Sequence, residues 1–159
     1  MKKRIKTILT MLLIVLLGMQ SFRIDKTNPP HDPANDFLVM ENPPAEVAEM
    51  MKNACYDCHS NLTKYPWYTN VAPMSWWIAG HIRHAREELN FSEWRSYNEE
   101  DKPKGLEEMA EEVLEKKMPL FSYIVAHPEA RLSEEQRKVL ADWFLSKKNR
   151  AGEPEETED

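Results

Sequence analysis

The sequence predicts an all-α fold. Apolar residues recur at helical spacing in four separate segments, those segments carry helix start and stop residues, and no segment alternates apolar and polar residues as a half-buried strand would. With 159 residues, 42% of them hydrophobic, the chain can fill one core and hardly two. One domain over 44–148, flanked by a leader and a tail, is expected.

The leader is MKKRIKTILTMLLIVLLGMQ, residues 1–20. Four basic residues (Lys2, Lys3, Arg4, Lys6) precede an apolar run from Ile8 to Met19, the order of a secretory signal. The run is shorter than the roughly 20 residues a membrane span needs, and Gly18-Met19-Gln20 is a poor cleavage site. Cleaved signal peptide and retained membrane anchor both remain open, and either places the chain outside the cytoplasm. No Cys follows the apolar run, so lipid anchoring is disfavoured. Residues 21–43 form a Pro-rich arm in which regular helix or strand is not expected. Phe37, Leu38, Val39 and Met40 are awkward in water and are expected to dock that arm on the domain.

Four helices should follow. Pro44 suits a first helical turn, and Val47, Met51 and Ala54 lead a short amphipathic helix into Cys55. From Ser75 to Leu89 one face carries Trp77, Ile78, His81, Ile82, Ala85 and Leu89, with Pro73 upstream as a start signal. After a loop over 90–105, Leu106, Met109, Ala110, Val113 and Leu114 fit a third helix that Pro119 stops. Ser133 and Gln136 have the spacing of a capping box ahead of Val139, Leu140, Trp143 and Phe144, a stripe reaching about Lys147. The first and last of these helices should cross, with Val47 and Met51 facing Leu140 and Trp143. Residues 149–159 are acidic and lack apolar side chains beyond Ala151, as in a disordered tail.

Charge limits the partners. Without the four basic leader residues, 17 basic residues stand against 27 acidic ones, a net charge of about −10. Nucleic acid is therefore not an expected partner, and solubility alone accounts for the sign.

The informative string is Cys55-Tyr56-Asp57-Cys58-His59. Two thiols three positions apart can add across the two vinyl groups of haem, and the histidine that follows is then placed as an axial ligand of the iron. The same pair of thiols also suits disulfide exchange or zinc. However, the chain has only these two cysteines, which rules out a four-thiolate zinc site, and a thioredoxin-like pair needs a βαβ surround. One covalently bound haem c is the expected cofactor. A second covalent haem has no cysteines to hold it.

Further pieces are CHSN at 58–61, YPWY at 65–68, SWW at 75–77, His81, LNFSEW at 89–94 and Met118-Pro119. With the CxxCH string, these make residues 40–147 resemble the bacterial haem-binding domain family of small, cytochrome c-like proteins. The resemblance implies a monohaem, cytochrome c-like helical domain in the cell envelope of a Bacteroidetes-type bacterium. Ala85-Arg86 stands where similar sequences often carry Gly-Arg, a difference that should cost little inside a helix.

The second axial ligand sets potential and reactivity. Met118 is the first choice, because it follows the third helix in extended X-Pro geometry, 59 positions after His59, much as class I cytochromes present their methionine. Core packing is the ordinary role for a methionine. His81, on the apolar face of the second helix, is the rival, with His84 and His127 behind it, and an open iron is the third alternative. Tyr65, Trp67, Tyr68, Trp76, Trp77 and Trp94 supply flat apolar walls for a crevice, although core packing uses the same residues. Tyr65, Trp67, and Arg83 or Arg86 are expected donors to haem propionates. The expected function is electron transfer with redox partner proteins in the periplasm, with no catalytic residues. A haem enzyme, a gas or redox sensor, and a haem-stabilised interaction module are the alternatives.

Overall fold

Amphipathic helices acquire most of their stability by burying one face, so where the apolar stripes meet decides the architecture. The structure, a computed structural model, describes residues 1–151, and no strand occurs among them. The acidic segment 152–159, expected to be disordered, lies outside the described residues.

The apolar leader forms α1 (Lys2–Met19), whose side chains are exposed along nearly its whole length. No described helix is long and apolar enough to cross a membrane. The arm is not wholly irregular. A short 3₁₀ turn at Pro33–Asn35 leads into α2 (Phe37–Glu41), where the Asp36 carboxylate accepts from Leu38 N at 2.9 Å as an N-cap. That one capped turn is too short to show a periodic signal. It buries Phe37 completely but leaves Val39 59% exposed.

α3 (Ala45–Ala54) buries Val47, Met50, Met51 and Ala54, and α4 (Tyr56–His59) continues directly from it. Next come a 3₁₀ turn at Trp67–Asn70 and α5 (Met74–Glu88). The expected loop 90–105 is more ordered than its composition suggests. Phe91–Ser96 is a kinked 3₁₀ segment that buries Phe91 and Trp94, and α6 (Lys102–Leu114) begins before the apolar stripe does, with Pro103 in its first turn.

α6 buries Leu106, Met109, Ala110 and Val113, while Leu114 stays half exposed. α7 (Phe121–Ala126) and a 3₁₀ turn at Pro128–Ala130 lead to α8 (Glu134–Ala151). The capping box forms, with Ser133 Oγ accepting from Gln136 N at 3.1 Å and Gln136 Oε1 accepting from Ser133 N at 2.9 Å. α8 runs past the expected end at Lys147, so 149–151 is helix and not tail.

α8 lies mainly along α6 and only secondarily against α3. The two run antiparallel, because Arg137 reaches Val113 O at 2.7 Å at one end while Lys148 reaches Glu107 at the other. The expected crossing of first and last helices is therefore a contact and not the main seam. α6 offers the longer apolar face, so it takes the α8 stripe of Leu140, Ala141 and Phe144. Phe37 sits among Phe91, Trp94, Trp143 and Phe144, with ring centroids 4.8 to 6.4 Å apart.

Candidate functional site

The CxxCH segment is held from behind by packing. Cys55 has φ −124° and ψ −43°, a break between α3 and α4 that lets the short helix turn away from its predecessor. Tyr56 is buried, stacked on Phe91 at 5.2 Å, and donates to Asp36 at 2.8 Å. Its burial fixes α4, and with it Cys55, Cys58 and His59. Both cysteines are free thiols. Burial and the neighbouring Cys58 push the Cys55 thiol up to about 12, while burial and Asp57 push Cys58 up to about 11. Dithiols used in exchange have lowered pKa values, so this pair is poorly suited to disulfide chemistry.

His59 has one ring nitrogen committed. Its Nδ1 lies 3.1 Å from Leu89 O, and because a carbonyl only accepts, Nδ1 carries the hydrogen and Nε2 keeps its lone pair. Burial holds the His59 pKa below the usual histidine range, which favours that neutral, ligating form. The 89–94 run explains the orientation. Asn61 N donates to Ser92 Oγ at 3.0 Å and Asn90 Nδ2 donates to Asn61 Oδ1 at 2.9 Å, so the CHSN and LNFSEW strings are bonded to each other around the imidazole.

Beside this segment lies a cavity of about 420 Å³, within the usual size range of cofactor pockets. One side is built by Cys58 and residues 63–69, including Tyr65, Trp67 and Tyr68. α5 gives Met74, Trp77, Ile78, His81 and Ile82, and the opposite side comes from Leu120, Tyr123, Val125 and His127. The wall is predominantly apolar and aromatic, and Cys58 is the thiol on it. The wall thus brings together Cys58, Tyr65, Trp67, Trp77 and His81; Cys55, at the N-cap of α4, and His59, at its last residue, lie next to it and do not line it.

Other sequence expectations end elsewhere. Met118 lies in the turn after α6, partly buried, and is not on the cavity wall, although Leu120 two positions on is. Arg137 fixes that turn by donating to Val113 O and to Met118 O, at 2.7 and 2.6 Å. Trp94 is core and donates to Glu41, and Trp76 donates to Phe22 O at 2.8 Å, so neither lines the crevice. Arg86 is taken up by Ser60 O, Asn28 and Thr63, where it braces the arm, and Arg83 is 78% exposed beside Glu87. Neither arginine lines the cavity; Lys64 is the cation on its wall. His84 points outward toward Glu88.

His127 has both ring nitrogens engaged, by Tyr68 and by Glu129, so it is not placed to ligate iron. The 120–127 wall escaped sequence reasoning because α7 spans only six residues, too few to show a period. Its signal was chemical, an aromatic and a histidine one turn apart just before Pro128.

Among the described residues no group of three or more His, Cys, Asp or Glu side chains is placed to hold a bare metal ion, which a tetrahedral zinc site would require. No curated protein and no solved structure matches the chain. A family model described as a haem-binding domain matches residues 14–146, taking in the end of α1, the whole arm and every helix to α8. The apolar cavity, the paired thiols and the oriented His59 are what such a cofactor needs, and this chain belongs to the haem-binding domain family.

Proposed function

We propose that the chain is a monohaem c-type cytochrome that carries electrons between redox partner proteins in the cell envelope. The observation behind this reading is His59, its Nδ1 committed to Leu89 O and its Nε2 left to ligate, on the same short helix as a thiol that lines an apolar cavity. Bound haem supplies reversible one-electron chemistry at iron. Cys55 and Cys58 would hold its edge by thioether bonds, and His59 would ligate one axial position. Trp67, Trp77, Ile78 and Val125 would exclude water from its faces, and Tyr65 and Lys64, both on the cavity wall, would donate to its carboxylates.

Met118 is proposed as the second ligand, held by Arg137 through the Met118 carbonyl. A specific observation favours a second reading with His81. That residue lines the cavity, and its Nδ1 is committed to Trp77 O at 2.9 Å, which leaves Nε2 available. Ferric and ferrous absorption spectra decide between them. With Met118 ligating, the wild type has the weak far-red band of sulfur-to-iron charge transfer, and Met118→Ala abolishes it. A low-spin spectrum unchanged in Met118→Ala but lost in His81→Ala would assign His81 instead. A high-spin, carbon-monoxide-binding wild type would move the reading from carrier to sensor or enzyme.

We further propose that α1 is retained as a membrane tether. Supporting this, Gln20 exchanges two hydrogen bonds with the Ala72 backbone, at 3.0 and 3.1 Å, so the end of α1 is joined to the domain and not to a loose linker. Exposed Phe22, Val71 and Trp76 beside that junction suit an interfacial position. N-terminal sequencing of the membrane fraction should recover the uncut chain. A soluble product beginning after residue 20 would refute retention.

A further inference from the structure

The cavity wall is mostly apolar, yet a chain of three polar side chains reaches it from solvent. Glu129 is exposed, and its Oε1 accepts from His127 Nδ1 at 3.0 Å. His127, whose side chain is only 14% exposed, presents Nε2 to the Tyr68 hydroxyl at 2.5 Å. Tyr68 and His127 both line the cavity. The Tyr123 ring stacks on the imidazole at 4.3 Å and 19°, fixing its plane, while Tyr123 donates to Asp57 at 2.8 Å. Resting on the proposal that the cavity holds haem, we infer that reduction of the iron is coupled to proton uptake by His127, which Glu129 holds at Nδ1 and Tyr68 links to the cavity at Nε2.

The hydrogen-bond roles make this a switch. With His127 neutral, Nδ1 donates to the Glu129 carboxylate and Nε2 accepts from Tyr68, so the Tyr68 hydrogen points away from the cofactor. When His127 takes a proton at Nε2, it becomes a donor on both sides. Tyr68 must then accept, and its own hydrogen turns toward the cavity. One electron from a reduced redox protein converts ferric to ferrous iron and removes one positive charge beside this wall. The loss of that charge favours the imidazolium: Tyr68 passes its hydroxyl hydrogen to Nε2 and takes a proton from solvent in its place, while the Glu129 carboxylate stabilises the charge from the Nδ1 side. Oxidation reverses both transfers.

The other titratable or charged groups facing His127 fit this assignment. Tyr68 comes from the 67–70 turn, Tyr123 from α7 and Asp57 from α4, the last bonded to Tyr123 and to Lys64 N. Burial raises the pKa of both tyrosines, so they stay protonated, and Tyr68 relays a proton without titrating itself. The Glu129 pKa is lowered mainly by a backbone hydrogen bond and next by His127, which keeps it anionic at neutral pH. His81 on α5 is the one other imidazole on the wall.

The test is redox titration of the full-length haem-loaded protein from pH 5 to 8, the range in which imidazoles titrate. Spectra confirm covalent haem first, so an empty protein would refute the haem reading itself. In the wild type the midpoint potential should fall as pH rises, with the ferrous-to-ferric ratio at fixed potential changing by up to about tenfold per pH unit. His127→Gln should flatten that dependence while keeping the haem spectrum. Glu129→Gln should shift it to lower pH, because the carboxylate that favours imidazolium is gone, and it serves as the test if His127→Gln does not fold. A wild type with covalent haem and a flat profile would overturn the coupling. A slope surviving in His127→Gln would also overturn it, since it would belong to another group such as His81, as would a Glu129→Gln profile unchanged from the wild type.

Discussion

Replacing Cys55 and Cys58 together with alanine is expected to abolish haem retention through denaturing electrophoresis, where the wild type keeps its haem. These are the only cysteines in the chain, so no other thioether can form. Each single variant should keep one bond and run with residual haem stain. In native protein the double variant still has His59 and the apolar wall, so it should bind haem that acid extraction removes. The difference between native and denatured retention isolates the covalent contribution from the cavity's. A double variant that holds haem through denaturation would refute attachment at these thiols.

The second large effect concerns the arm. Phe37→Ala should destabilise the haem-loaded protein by about 3–5 kcal/mol, the usual cost of truncating a fully buried phenylalanine. Phe37 is 0% exposed and meets four aromatic rings drawn from the 91–96 turn and α8. Val39→Ala, at a position 59% exposed two residues on, should change stability by no more than about 0.5 kcal/mol. Equilibrium denaturation of the two variants checks this contrast. Equal, small losses would mean that the arm is not part of the domain core.

That contrast also marks where the sequence was legible. α3, α6 and α8 each bury a face over ten residues or more, and α5 turns its stripe to the cavity, so all four could be found by spacing alone. α2, α4, α7 and the Phe91–Ser96 turn are too short for a period to emerge. They are ordered by tertiary contacts such as Tyr56 on Phe91 and Asp36 on Leu38. The same reason explains the site. CxxCH was legible because its chemistry is local in sequence, and Trp67, Trp77 and His81 because they flank it closely. The wall from Leu120 to His127 was not, because it reaches the cavity from some sixty residues away. Arg86 was misplaced for a related reason. Its charge suggested a cofactor carboxylate, but buried carbonyl and hydroxyl oxygens near Ser60 and Thr63 compete for it first.

The account's central claim is that Cys55 and Cys58 bind one haem covalently and that His59 ligates its iron. The most direct measurement is the intact mass of the acid-denatured wild-type chain, matured in a host competent for c-type attachment, followed by peptide mapping. The mass should be increased by one haem, located on the peptide containing residues 55–59. An unmodified chain with two free thiols, or with a Cys55–Cys58 disulfide, would contradict it.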